Sequence, residues 1–282
     1  MKNKILKNYV KPNKVIIYKP NISERCLFLI LTIYLLFVLY VLKNTVYRNI
    51  ILLYIAPCFI LFKVTFICLP KFIHFLNEKG LCGIDLNKSG KEYVAEPIGL
   101  FPSILYFIFV LFYQLIYYND HRIEITLNIG KSPIIENLIL KQHFLSIIFT
   151  IPFLTINLAT FSFNFYPSKG FVGNTLTYFC GMFLAVVSIF GHFSKTLVLF
   201  LIPQFLNFFI SLPQLFHIIP CPRHRLPIIN YKTNKLMYSH NYTLINLILY
   251  LFGPLSEYHL VLILLTFQFL TCSFGLFLRY YI

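Results

Sequence analysis

Long apolar runs separated by short polar segments set the pattern of this chain. Seven runs come close to the roughly 20 residues with which a helix crosses a bilayer. The predicted spans are residues 27–43, 50–69, 99–118, 143–164, 176–190, 197–218 and 259–278. An eighth apolar run, 243–253, is about half as long and would change the count by one if it also crossed. The pattern therefore predicts an all-α fold, a polytopic transmembrane helix bundle with about seven spans.

The composition favours a membrane protein and excludes a soluble one. Hydrophobic residues make up 58% of the 282 residues and charged residues only 12%, which leaves too few polar side chains to cover a soluble domain of this size. The cysteines show no paired spacing such as C-x-x-C. Neither a metal knuckle nor a disulfide framework is therefore indicated.

Charge sets the expected orientation. The chain carries 24 Lys and Arg against nine acids, and basic loops usually lie on the cytosolic side, facing anionic membrane lipid. The basic N-terminal arm predicts a cytosolic start and a retained signal anchor at 27–43, and nucleic acid is not an expected partner. Seven crossings then place loops 70–98, 165–175 and 219–242 in the cytosol. The N-glycosylation sequons fall on the same side and should stay unmodified; their asparagines are Asn21, Asn87 and Asn241.

Two of these loops combine glycine turns with polar side chains. In loop 70–98, Gly83 and Asp85 form either a solvated turn or a site in which backbone and carboxylate recognise a polar head group. In loop 165–175, a polar turn leads into a membrane helix and can aim N–H groups at an anion. Phe171 in that turn either stacks a planar base or anchors the membrane interface.

The third loop, 219–242, opens with prolines on both sides of Arg223, His224 and Arg225. Guanidinium groups bind phosphate well because their paired N–H groups match its oxygens. An ordinary positive-inside cluster would explain the charge alone, but it would not need the stiffening that prolines provide. The pattern therefore favours a phosphate-binding loop.

Taken together, these motifs resemble those of the eukaryotic UDP-N-acetylglucosamine:dolichyl-phosphate N-acetylglucosamine-1-phosphotransferases, members of the polyprenyl-phosphate glycosyl-1-phosphate transferase family. Residues 81–88 resemble the first cytosolic loop of that family, and residues 170–175 resemble its Phe-Val-Gly-Asp-Thr segment. Its C-terminal half is matched by 191–196, 212–215 and 217–225.

The resemblance implies a function and a place. Cytosolic loops would hold UDP-N-acetylglucosamine, Mg²⁺ would bridge its diphosphate, and dolichyl phosphate would attack the sugar-bearing phosphorus with release of UMP. This reaction begins the lipid-linked oligosaccharide used in protein N-glycosylation, in the endoplasmic reticulum membrane, and a homodimer is compatible with it. Carried over by position, the substrate-binding residues would be Ile84, Asp85, Leu86, Glu96, Phe171, Arg223, His224 and Arg225.

This sequence departs from the family in two ways. Asn174 stands where the family has a metal-binding Asp, and an amide oxygen ligates Mg²⁺ without contributing charge. The middle part of the family, with its Asp-Asp pair, has no counterpart, so the catalytic residues stay unassigned. The nine acids of this chain include no adjacent pair. Asp85 and Glu96 are the candidates for a carboxylate beside the metal.

The resemblance divides the chain into four segments: 1–49 as a basic arm with an extra span, 50–118 and 143–282 as family-like parts, and 119–142 as the junction. The missing middle fits either a shortened gene model or a degenerate paralogue. The leading interpretation is the transferase, and the alternative is an inactive, truncated paralogue or fragment that binds nucleotide sugar or a full-length partner. A transporter is disfavoured because the spans hold few ionisable residues.

Overall fold

The chain folds into apolar helices with two short two-stranded β sheets in the computed structural model, which describes residues 19–41, 48–87, 93–120, 134–222 and 224–281. The elements are α1 (Glu24–Val41), α2 (Arg48–Glu78), β1 (Cys82–Ile84), β2 (Tyr93–Ala95), α3 (Leu100–Asp120), α4 (Ile134–Asn164), α5 (Gly173–Phe190), α6 (Ser194–Phe200), α7 (Ile202–Leu215), β3 (Ile228–Asn230), β4 (Lys235–Met237), α8 (Leu244–Phe252) and α9 (Glu257–Tyr281).

Within these described ranges, five helices are long and apolar enough to cross a membrane: α1, α2, α4, α5 and α9. The pair α6 and α7 adds a sixth if it counts as one span. Helix α3 is also apolar, and its fully described part, Leu100–Tyr113, is shorter than these five. These helices confirm a polytopic membrane helix bundle.

The predicted span 197–218 is not one continuous helix. It divides at Leu201 into α6 and α7, whose axes differ by 64°. Pro203 lies in the first turn of α7, where a residue without a backbone N–H is tolerated because that position needs no helical partner. The proline therefore suits the start of a new helix, and the predicted span 197–218 consists of two helices.

Other boundaries also differ from the sequence expectation. Helix α2 continues through Pro70 to Glu78, beyond the predicted end at 69, and α4 begins at Ile134, inside the predicted junction 119–142. The half-length run 243–253 forms the nine-residue helix α8.

The first of two compact units comprises residues 1–83 and 94–192. In α1, Leu27, Leu31, Leu35 and Val38 share one buried face, at the spacing that places side chains one above another on a helix. They join a core that includes Phe62, Phe66 and Phe163. The opposite face of α1 is exposed and apolar, as expected of a surface that meets lipid.

Small polar residues line the centre of this unit. Thr155, Thr160 and Ser162 of α4 are buried, and each hydroxyl donates to a carbonyl of its own helix. Such side chains allow close helix packing in membranes while keeping their polar groups paired. Helix α4 accordingly packs against α1, α2, α3 and α5.

The second unit comprises residues 84–93 and 193–282. Its core joins Leu236 of β4, Leu244 and Ile248 of α8, and Leu260 of α9. Strands β3 and β4 pair antiparallel, with Ile229 opposite Leu236. The two units cut across the segments 50–118 and 143–282 expected from the resemblance.

Candidate functional site

Two of the predicted loops are joined by backbone hydrogen bonds within the first unit. The Phe171 N–H donates to the Ala95 carbonyl at 2.8 Å, and the Ile98 N–H donates to the Phe171 carbonyl at 2.9 Å. Ala95 and Gly170 form a parallel β bridge. The segment before α3 therefore runs beside the segment before α5, and the Glu96 and Phe171 motifs become neighbours.

Glycines permit this close approach. A Cβ at Gly170 would lie 2.5 Å from Ile98 Cγ2, far inside van der Waals contact. Gly173 has a φ of +70°, and a Cβ there would lie 2.5 Å from Pro97 Cβ. Both the space and the backbone conformation at Gly173 therefore require glycine.

The junction of these segments opens into a cleft of about 440 Å³. Its lining includes Gly80, Leu81 and Cys82 from the end of α2 onward, Glu96 from the segment before α3, and Gly173 and Asn174 from the start of α5. Glu96 and Asn174 are both exposed. The cleft thus presents a carboxylate and an amide to the same volume.

Glu96, Gly83 and Phe171 are close neighbours at this site. A Cβ at Gly83 would lie 2.9 Å from Glu96 Oε2 and 3.9 Å from Phe171 Cδ2. The carboxylate and the ring edge therefore both approach the Gly83 backbone. Of the residues predicted from sequence, the structure brings together Glu96, Phe171 and Asn174.

The oxygen atoms of Glu96 and Asn174 fit a hard divalent cation. Mg²⁺ is typically held by one or two carboxylates together with substrate phosphates, and it retains several waters. In the part of the chain that the structure describes, no cluster of three His, Cys, Asp or Glu side chains could hold a metal by itself. A cation in this cleft would therefore depend on the ligands of a bound diphosphate.

Ile84, Asp85 and Leu86 belong to the second unit. The Asp85 side chain is 4% exposed, and its Oδ1 accepts a hydrogen bond from the Asn87 N–H at 3.0 Å. This is an Asx turn, which uses the carboxylate to order the local backbone. Ile84 and Leu86 are exposed. The substrate-binding roles of these three residues stay predictions.

The basic loop also lies in the second unit. Arg223 lies outside the described residues, His224 is exposed, and Arg225 is partly buried. Arg225 Nη1 is buried and has no hydrogen-bond partner among the described residues. A buried guanidinium N–H without a partner is uncommon, and an anionic oxygen would satisfy it.

Sequence reasoning missed part of the cleft lining. Gly80 and Thr175 line it but were not selected as site residues. Thr175 directly follows Asn174 in the motif, so the same signal would have found it. Gly80 lines the cleft as part of the turn after α2, where its φ is +70°. The sequence of a polar loop does not show which residue has such a backbone conformation.

Comparison with known proteins supports the resemblance found in the motifs. No family model matches the chain. The chain is similar to proteins named UDP-N-acetylglucosamine–dolichyl-phosphate N-acetylglucosaminephosphotransferase from several organisms. The protein of Leishmania amazonensis is 54% identical over 129 residues, which cover 46% of this chain and 28% of that protein. The Dictyostelium discoideum protein is 52% identical over 142 residues, covering 50% and 35%.

A third relative, from Schizosaccharomyces pombe, is 37% identical over an alignment of 185 residues, gaps included, which covers 51% of this chain and 42% of that protein. The chain thus spans between about a quarter and under half of the length of these relatives. The resemblance to this group of enzymes is confirmed.

Proposed function

We propose that this chain transfers N-acetylglucosamine-1-phosphate from UDP-N-acetylglucosamine to dolichyl phosphate and releases UMP. The observation that carries the proposal is the cleft lined by Glu96 and Asn174, with the Phe171 ring approaching the Gly83 backbone beside Glu96. The names of the relatives supply the substrates and the reaction class. The chain would thus carry out the first step of the lipid-linked oligosaccharide pathway for protein N-glycosylation.

The cleft residues have distinct parts in this proposal. The face of Phe171 would stack against the uracil. Stacking of a planar base on an aromatic ring contributes about 1–3 kcal/mol to the free energy of binding. The Glu96 carboxylate and the Asn174 amide oxygen would hold Mg²⁺ beside the diphosphate. When bound, that ion would offset the negative charge of the diphosphate and help UMP to leave.

The resemblance further implies that the basic loop 219–242 would supply positive charge to the phosphates. Arg223, His224 and Arg225 would bind the sugar-phosphate. Nη1 of Arg225, which has no hydrogen-bond partner among the described residues, would donate to one of its oxygens. Ile84, Asp85 and Leu86 would line the nucleotide-sugar site. Positioning and electrostatic stabilisation of this kind carry most of phosphoryl-transfer catalysis.

The reaction itself needs few protein groups that form bonds. An oxygen of dolichyl phosphate attacks the sugar-bearing phosphorus, a new P–O bond forms, and the bond to the bridging oxygen breaks as UMP departs. Dolichyl phosphate itself supplies the nucleophile, an anionic oxygen, so the protein need not provide one. Its main task is to align the two substrates.

We further propose that the enzyme lies in the endoplasmic reticulum membrane with its substrate loops in the cytosol. Surrounding membrane lipid and a second copy in a homodimer are the other expected partners. If the loops are cytosolic, expression in microsomes should leave all three native sequons without glycans. A gel shift on deglycosylation that is lost when the sequons are removed would contradict that orientation.

Reconstituted protein tests the activity directly. With Mg²⁺, UDP-[¹⁴C]N-acetylglucosamine and dolichyl phosphate, we expect labelled lipid that disappears with tunicamycin. E96Q should reduce the rate, because the neutral side chain loses the charge that favours a cation. Folded protein that binds UDP-N-acetylglucosamine but forms no labelled lipid would contradict the transferase and favour the binding-only alternative.

A further inference from the structure

Asn21, just before α1, contacts the last turn of α4 and the loop that follows it. Its backbone N–H donates to the Ser162 carbonyl at 2.9 Å. Its side-chain Nδ2 donates to the carbonyl of Phe165 at 2.6 Å and to that of Pro167 at 2.8 Å. One residue thus provides three hydrogen bonds to a segment of six residues, all within the first unit.

This segment leads directly into the cleft. The last carbonyls of a helix have no helical partners, and Asn21 supplies donors at the point where α4 gives way to the loop. Further along the loop, the Lys169 N–H donates to the Phe163 carbonyl at 2.8 Å, and the Phe171 N–H donates to the Ala95 carbonyl. The loop held by Asn21 is therefore the loop that presents Phe171 and Asn174.

The anchor itself belongs to a well-packed element. Leu27 and Leu31 of α1 are at most 1% exposed, and Glu24 at the start of α1 forms an ion pair with Lys63 of α2. Ile22 packs against the same core. These contacts fix the chain directly after Asn21, so its hydrogen bonds tie the loop to a well-packed part of the first unit.

We propose that Asn21 is a positioning residue that holds loop 165–172 in place and thereby orients Phe171 and Asn174 at the cleft. The inference rests on the proposed function for the identity of the ligand. Asparagine suits the position because its short amide provides two N–H donors at once. Asp has the same shape without those donors, and its carboxylate oxygens would face two carbonyl oxygens.

The first measurement needs no ligand. Hydrogen exchange of purified protein in nanodiscs should show N21D exchanging at least several-fold faster than wild type at the Lys169 and Phe171 amides. N21A, which removes the donors without adding charge, should show the same change. S23A destroys the Asn21 sequon but keeps the amide, so its exchange should match wild type. Unchanged exchange in both Asn21 variants would overturn the proposal.

The second measurement connects the loop to binding. For UDP-N-acetylglucosamine with Mg²⁺, N21A and N21D should weaken affinity about tenfold, the scale of one or two lost hydrogen bonds, while S23A binds as wild type. Faster exchange with unchanged affinity would overturn the positioning role. If wild type binds no UDP-N-acetylglucosamine, the proposed function fails, while the exchange result still decides whether Asn21 holds the loop.

Discussion

Gly173 and Pro97 lie so close that a Cβ on the glycine would be 2.5 Å from the Cβ of the proline. Gly173 is the first residue of α5, and Pro97 lies between β2 and α3. Contact between them closes one side of the cleft next to Glu96 and Asn174. The shape of the cleft therefore depends on position 173 having no side chain.

The first prediction follows from this contact. G173A should destabilise the protein by about 2 kcal/mol or more, because a positive φ costs about 1–2 kcal/mol for a residue with a Cβ and the steric overlap adds to it. Thermal unfolding in detergent measures the effect. Gly181 lies in the same helix, and a Cβ added there would meet nothing within 4 Å, so G181A should not lower the unfolding temperature. Equal losses in both variants would contradict this assignment.

Asn174 gives a second prediction. N174D should raise the apparent Mg²⁺ affinity several-fold, since a carboxylate adds charge beside Glu96 where the amide adds none. A new negative charge in the first turn of α5 also suits the helix dipole, so stability should not fall. Titration of Mg²⁺ against UDP-N-acetylglucosamine binding measures the change. Identical Mg²⁺ dependence in wild type and N174D would remove Asn174 from the metal site.

The break between α6 and α7 gives a third prediction, in the second unit. Gln268 of α9 donates from Nε2 to the Phe200 carbonyl at 2.7 Å, and its Oε1 accepts from Gln204 Nε2 at 2.9 Å. Q268L should therefore destabilise the protein by about 1–2 kcal/mol, because a carbonyl in an apolar setting loses its donor.

Unfolding of Q268L in detergent checks this value. The neighbouring F269L is the matched control, since Phe269 is 71% exposed and should tolerate leucine. An equally stable Q268L would show that the broken helix does not depend on this hydrogen bond.

Much of the fold follows from apolar run length. Six predicted spans each fall on one helix and the span 197–218 falls on two, since a long apolar stretch satisfies its backbone in lipid by forming helix. The break at Leu201 was missed because the run 197–218 is mostly apolar, with single polar residues but no polar segment at the break. Pro203 was the available signal for the break. Prolines also occur inside α2 and α4 without ending those helices, so a proline alone does not predict where a helix ends.

The hairpins and the cleft were harder to predict. Strands β3 and β4 contain three residues each, too few for alternation to stand out. Motif resemblance selected Glu96, Phe171 and Asn174, of which Glu96 and Asn174 line one cleft and Phe171 approaches Gly83 beside Glu96. Their meeting depends on backbone bonds between Ala95, Ile98 and Phe171, and the contribution of Asn21 depends on carbonyl groups. Hydrogen bonds to backbone groups do not depend on which side chains are present, so the sequence pattern does not predict them.

The affinity of the nanodisc-embedded protein for UDP-N-acetylglucosamine, compared between wild type and F171L, tests the nucleotide-sugar cleft most directly. Leucine retains apolar packing but removes the ring face, so F171L should bind about tenfold more weakly or worse, as loss of a base stack predicts. F112L replaces an exposed ring on α3 and should bind as wild type. Equal affinity of wild type and F171L would contradict a nucleotide site at this cleft.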